Sequence, residues 1–154
     1  MANIPVDWGV LMLNHPSYRD IRDKVSGIPE DWETYCIQMS YALNKAGARI
    51  KNTGKNVGFI EKGDNYIINV PKMREYLNEE YGEAEKFERS GAANSRIAII
   101  SQIVDRTGII AFGDRHIDLW NKDNLQRPSD YIMSALWEAK SAMTKGIFFW
   151  EVSK

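Results

Sequence analysis

Apolar and polar residues change their spacing several times along this chain, and each change predicts an element. From about Glu33 to Ala46 the apolar positions recur at helical spacing, with Cys36, Met39 or Ser40, and Leu43 on one stripe running to Gly47. Asp31 and Thr34 both fit the N-cap of this helix, and Gly47 is its stop. Asn65 to Val70 reads as a strand. Pro71, with its fixed φ and missing N–H, suits the first turn of a helix reaching about Tyr81. The charged run Glu83 to Arg89 reads as a solvated helical face.

Further on, Ile97, Ile99, Ile100, Ile103 and Val104 suit a buried strand or a buried helix equally, because periodicity alone does not separate the two. Ile109 to Phe112 and His116 to Trp120 read as strands joined by a turn at Gly113-Asp114, a hairpin. Asn121 to Pro128 is a polar loop, Asp130 to about Met143 a helix, and Gly146 to Val152 a closing strand. Before Asp31 the chain is punctuated by Pro5, Pro16, Gly27 and Pro29, with room for one short helix around Tyr18 to Val25. Lys51 to Gly63 is rich in Gly, Asn and Lys around a short apolar piece, Val57 to Ile60. Helices come first and strands mostly later, without repeats or a linker. This order predicts one α+β domain over residues 1–154, its N-terminal helices packed on a mostly antiparallel sheet.

Composition narrows the function more than the fold. The chain has 154 residues, enough to bury a core without a disulfide or a metal. Twenty Lys and Arg against 21 Asp and Glu leave a net charge of -1, which argues against a basic nucleic-acid-binding face. One cysteine excludes an internal disulfide and a multi-thiolate zinc site, and two histidines argue against a histidine-rich metal centre. No cofactor is expected. No basic segment followed by an apolar core opens the chain, and no run approaches the roughly 20 apolar residues of a membrane span. The expectation is a protein made in a cytoplasm without a conventional signal and not inserted into membrane.

Two residues carry the candidate chemistry. Cys36 falls at the start of the predicted helix, where partial positive charge favours a thiolate, and His116 falls on a strand, where an imidazole can take the thiol proton. A lone cysteine on an apolar stripe is most often a small buried hydrophobe, and an isolated strand histidine is usually structural. His15, followed by Pro16, reads as a loop residue rather than a base. Trp120 and Trp150 read as core anchors. Cysteine on a helix before histidine on a strand is the order of papain-like hydrolases.

The surroundings of both residues sharpen this. The run Cys36-Ile37-Gln38-Met39-Ser40-Tyr41-Ala42-Leu43-Asn44-Lys45-Ala46-Gly47 resembles the catalytic-helix motif of the type VI secretion amidase effectors of family 4 (Tae4). Gly108 to Phe112 leading into His116-Ile117-Asp118-Leu119-Trp120 is similar to the family's histidine-bearing strand pair, and Phe149-Trp150-Glu151-Val152 to its closing strand. The resemblance implies a papain-like, NlpC/P60-type fold. It also implies a peptidoglycan amidase that cuts the stem peptide between D-glutamate and meso-diaminopimelate after delivery into a rival's periplasm. The type VI apparatus and a cognate immunity protein are the implied partners.

Carried over residue by residue, Cys36 is the nucleophile and His116 the general base and acid. The family's third member is an aspartate after the histidine strand. Asp123 and Asp130 both follow here, and Asp130, at the commoner spacing and before a similar helix start, is favoured as the third catalytic residue. Asp118, on His116's strand and side, is expected to line the cleft rather than orient the ring. The Cys36 N–H is expected to donate to the oxyanion. Arg115 stands where the family commonly has glycine, and the extra cysteines that some relatives carry near the aspartate are missing. A cell-wall endopeptidase or deamidase of the same fold, and a small binding domain with a structural Cys36, are the competing readings. Alkylation of Cys36 at neutral pH is the cheap discriminator between a reactive and an inert thiol.

Overall fold

The computed structural model describes residues 2–89, 96–125, 137 and 140–152. Its frame is a sheet centred on the last strand, β8 (Ile147–Val152). On one side β8 pairs antiparallel with β5 (Thr107–Phe112), from Gly108 opposite Glu151 to Phe112 opposite Ile147. β5 in turn pairs antiparallel with β6 (His116–Asn121), which places Phe112 opposite His116. β7 (Asn124–Leu125) pairs only with the far end of β6, Trp120 and Asn121. On the other side of β8 lie β1 (Asn3–Ile4), parallel at Glu151 and Val152, and β4 (Glu85–Phe87), antiparallel at the start of the strand. The predicted hairpin and the closing strand are therefore the middle of the sheet.

Alternation along these strands sends side chains into two cores. Ile109, Ala111, Ile117, Leu119 and Trp150 join a cluster with Cys36, Met39 and Leu43 of α3 (Tyr35–Lys45) and with Met73 and Leu77 of α4 (Val70–Tyr81). Ile110, Phe112, Trp120 and Phe149 join the other with Trp137, Ile99 and Ile103 of α5 (Arg96–Ile103), and Ala142 of α6 (Lys140–Lys145). α5 resolves the segment that periodicity left ambiguous: Ile99 and Ile103 are one helical turn apart and both buried.

α3 begins after Thr34 and ends where Gly47 adopts φ +94. There the Ala48 N–H donates to the Leu43 carbonyl at 2.9 Å and the Gly47 N–H to that of Asn44 at 3.4 Å. Those are the two bonds of a Schellman stop, and the positive φ is why glycine stands at the predicted end.

Several expectations change in space. Glu83 to Arg89 is not a helical face. Its centre is β4, because the edge of β8 offers unpaired backbone groups and Phe87 packs against the second core. The strand expected from Asn65 to Val70 stops early, as β3 (Asp64–Tyr66), a hairpin partner of β2 (Phe59–Glu61). The Ile67 N–H donates instead to Ser40 Oγ at 3.0 Å, and Asn69 caps α4 by accepting from the Lys72 N–H at 2.9 Å. Beside α2 (Ile21–Lys24), the N-terminal stretch also forms β1 and α1 (Trp8–Leu13). Within the expected polar loop, Asn124 and Leu125 pair with β6. Most of the helix expected from Asp130 to Met143 lies outside the described residues; the part within them, α6, is helical.

Candidate active site

Cys36 is the second residue of α3, and it is free and buried. The first backbone bond of the helix runs from the Gln38 N–H to the Thr34 carbonyl at 2.7 Å. The N–H groups of Tyr35, Cys36 and Ile37 therefore have no carbonyl to reach within the helix. Thr34 makes no side-chain cap for them. Its hydroxyl donates to Gln38 Oε1 at 2.8 Å, and Gln38 Nε2 donates to the Pro16 carbonyl at 2.9 Å. The turn that carries the cysteine is thereby fastened to the loop after α1.

In front of Cys36 lies a small cleft of about 70 Å³, walled by Glu33, Tyr35, Ile68, Asn69, Val70 and Asp114. Burial pushes the Cys36 thiol far above its ordinary range, and the Glu33 carboxylate pushes it further. Both effects disfavour the anion and oppose the helix start.

His116 opens β6 and is 1 % exposed. The ring of Tyr35, next to Cys36 in sequence, meets the imidazole edge-on with centroids 4.3 Å apart, and Phe112 lies 6.2 Å away across the strand pair. The structure thus brings the start of α3 onto the start of β6, as the motif order requires. β7 stops short of this end of β6.

The acidic residues fall differently. Asp118 does not line the cleft; it is wholly buried, with Oδ2 3.7 Å from His116 Nε2. His15, a loop residue as expected but only 2 % exposed, closes over it with Nδ1 4.0 Å from Asp118 Oδ1. Side-chain alternation places Asp118 beside His116, and the α1 loop arriving from far away in sequence removes it from solvent. Asp123 is exposed in the turn between β6 and β7. Asp130 lies outside the described residues. Arg115 is exposed in the β5–β6 turn and is not part of the cleft wall.

Asp114 is a cleft residue that sequence reasoning passed over as a turn. Its carboxylate is paired with Arg74 of α4, whose guanidinium also lies over the Phe148 ring at 4.3 Å. Its N–H donates to Ser141 Oγ at 2.7 Å. The only signal available was its place between two strands. Among the described residues no group of three or more His, Cys, Asp or Glu is arranged to hold a metal ion, and no helix is long and apolar enough to cross a membrane.

Comparison with known proteins bears on this arrangement. A family model described as Tae4, type VI secretion system (T6SS) amidase effector protein 4, matches residues 32–150. Curated protein sequences give no match. Among solved structures the chain is similar to the effector Tae4 from Enterobacter cloacae, with 16% identity and a TM-score of 0.69 over 99% of this chain and 100% of that one. The Tae4 / Tai4 effector–immunity system from Salmonella typhimurium matches with a TM-score of 0.72 at 16% identity, over 97% of this chain and 100% of that one. The Tae4–Tai4 complex from Enterobacter cloacae gives 0.71 at 16% identity over the same shares. At such identities the likeness is one of fold.

Proposed function

The chain belongs to Tae4, the type VI secretion amidase effectors of family 4, and on that premise we propose that Cys36 and His116 hydrolyse the bond between D-glutamate and meso-diaminopimelate in peptidoglycan stem peptides. The observation that carries this reading is the meeting of the Cys36 helix start with His116 through Tyr35, inside a family match that spans both.

The chemistry follows from the atoms available. As the substrate carbonyl enters the cleft, His116 takes the thiol proton and sulfur attacks the carbonyl carbon. The oxyanion that forms is met by the Cys36 N–H, which the helix leaves unclaimed. The imidazolium then gives its proton to the departing amine nitrogen, the C–N bond breaks, and a thioester remains. Water, deprotonated by the same imidazole, adds to the thioester and releases the carboxylate and the thiol. Asp130 remains the family's counterpart for a third member of the site, by its spacing from His116.

As a type VI effector the protein is delivered into target cells. We place its synthesis in the producer's cytoplasm without a signal peptide, and its action in the periplasm, where the wall is. A cognate immunity protein would protect the producer, as the Tae4–Tai4 pairing of the related structures suggests. Digestion of purified Gram-negative peptidoglycan, read by mass spectrometry, tests the activity. Wild type should release fragments cut at one stem bond, and Cys36→Ala and His116→Ala should release none. Unchanged muropeptides with wild type would overturn the reading.

A further inference from the structure

We propose that Asp118 is a positioning residue for His116 and that His15, from the loop after α1, holds Asp118 in that role. The proposal rests on His116 acting as the base. Its ground is a buried row of three titratable side chains: His15, Asp118 and His116 are 2 %, 0 % and 1 % exposed. His116 and Asp118 are two residues apart on β6, so their side chains leave the strand on the same side. One carboxylate oxygen, Oδ2, faces His116 Nε2 at 3.7 Å. The other, Oδ1, accepts the Leu119 N–H at 2.7 Å and faces His15 Nδ1 at 4.0 Å.

A carboxylate taken out of water this completely is costly unless polar or charged groups compensate it; here the Leu119 N–H bonds it and the two imidazoles face it at ion-pair distance. Its effect on the base is directional. A carboxylate at Nε2 favours the tautomer that carries its proton there, which leaves Nδ1 to exchange a proton with the thiol. It also stabilises the imidazolium during attack. The proposal requires the 3.7 Å separation to close to a hydrogen bond when His116 becomes charged, as resting catalytic contacts commonly do.

The position of His15 gives the row a second consequence. The carbonyl of its neighbour Pro16 accepts from Gln38 Nε2 at 2.9 Å, two residues along α3 from Cys36. One loop therefore touches the nucleophile's helix through Pro16 and the base's carboxylate through His15.

Two measurements on the full chain test this, one of which does not need the substrate. The protein has two histidines, so long-range ¹H–¹⁵N spectra of labelled protein, with His15→Asn to assign them, read the tautomer of each ring. Wild type should show His116 with its proton on Nε2, and the isosteric Asp118→Asn should shift it toward Nδ1. An unchanged His116 tautomer in Asp118→Asn, with the fold intact, overturns the proposal whatever the enzyme cuts. On peptidoglycan fragments, Asp118→Asn should lower kcat by about 100-fold or more with KM little changed, since the ground-state contacts to substrate remain. His15→Ala should lose about tenfold, and His15→Asn, whose amide nitrogen replaces Nδ1, should recover most of it. A KM effect with kcat intact, or no recovery in His15→Asn, also overturns it. Wild type that leaves peptidoglycan uncut sinks the amidase reading alone, because the tautomer result stands separately.

Discussion

Glu33 stands on the rim of the cleft before Cys36, and its charge is felt at the sulfur. Burial contributes most of the upward push on the thiol and Glu33 the next part. Removing that charge in Glu33→Gln should therefore make the anion easier to form. Alkylation of resting protein by iodoacetamide should be slow at neutral pH, rise with pH on the alkaline side, and run about two- to threefold faster in the variant. Equal rates would show that the carboxylate does not reach the sulfur. The same burial changes the meaning of the thiol test that sequence alone suggests. A catalytic cysteine here can look inert at rest, so slow alkylation does not favour a binding domain. Cys36 and His116 were both legible in the sequence, because the residue types and their neighbours form recognisable motifs. His15 was legible only as a loop residue. Nothing within its own segment marks a histidine that closes on a carboxylate about a hundred residues further along.

At the scale of elements, α3 and the β5–β6 hairpin carry the candidate site, and both were legible from local pattern: helical spacing ended by a glycine, and two strands around a Gly-Asp turn. The turn depends on its glycine. Gly113 has φ +58, and a Cβ there would sit 2.4 Å from the Ser141 backbone. Gly113→Ala should destabilise the protein by about 2 kcal/mol or more through backbone strain and overpacking. It should also lower activity, because the turn sets Asp114 and the start of β6. Thermal melting checks the first effect and muropeptide release the second; a variant matching wild type in both would remove the turn from this account. β4 was read as a solvated helical face for an equally physical reason. Its charges do find partners, since Glu85 pairs with Arg106, which also meets Glu151 at 2.7 Å. Arg106 lies far along the chain, just before β5, so no window of local sequence around Glu85 contains it. The two-residue β1 is in the same position, being defined by β8 alone.

Across the whole molecule, buried hydroxyl and thiol groups make stability depend on alkaline pH. Cys36 is pushed up from an ordinary value of 9.0, and Tyr66 and Tyr81 from 10.0 to about 12, each chiefly by burial. The folded chain keeps protons that the unfolded chain releases. Stability from these groups is therefore complete below about pH 9 and declines as pH rises, most steeply between about 10 and 12. Urea midpoints measured across that window should fall, and a flat profile would contradict the assignment. The sequence by itself determined the α+β class, the helix and hairpin that bear Cys36 and His116, and the family, because each rests on local periodicity or contiguous motifs. Only the tertiary structure decided that Asp118 is buried beside the histidine, that Asp114 joins the cleft, and that β4 completes the sheet. Those outcomes depend on contacts between segments distant in the chain, where burial and the direction of a side chain are set by what packs against it.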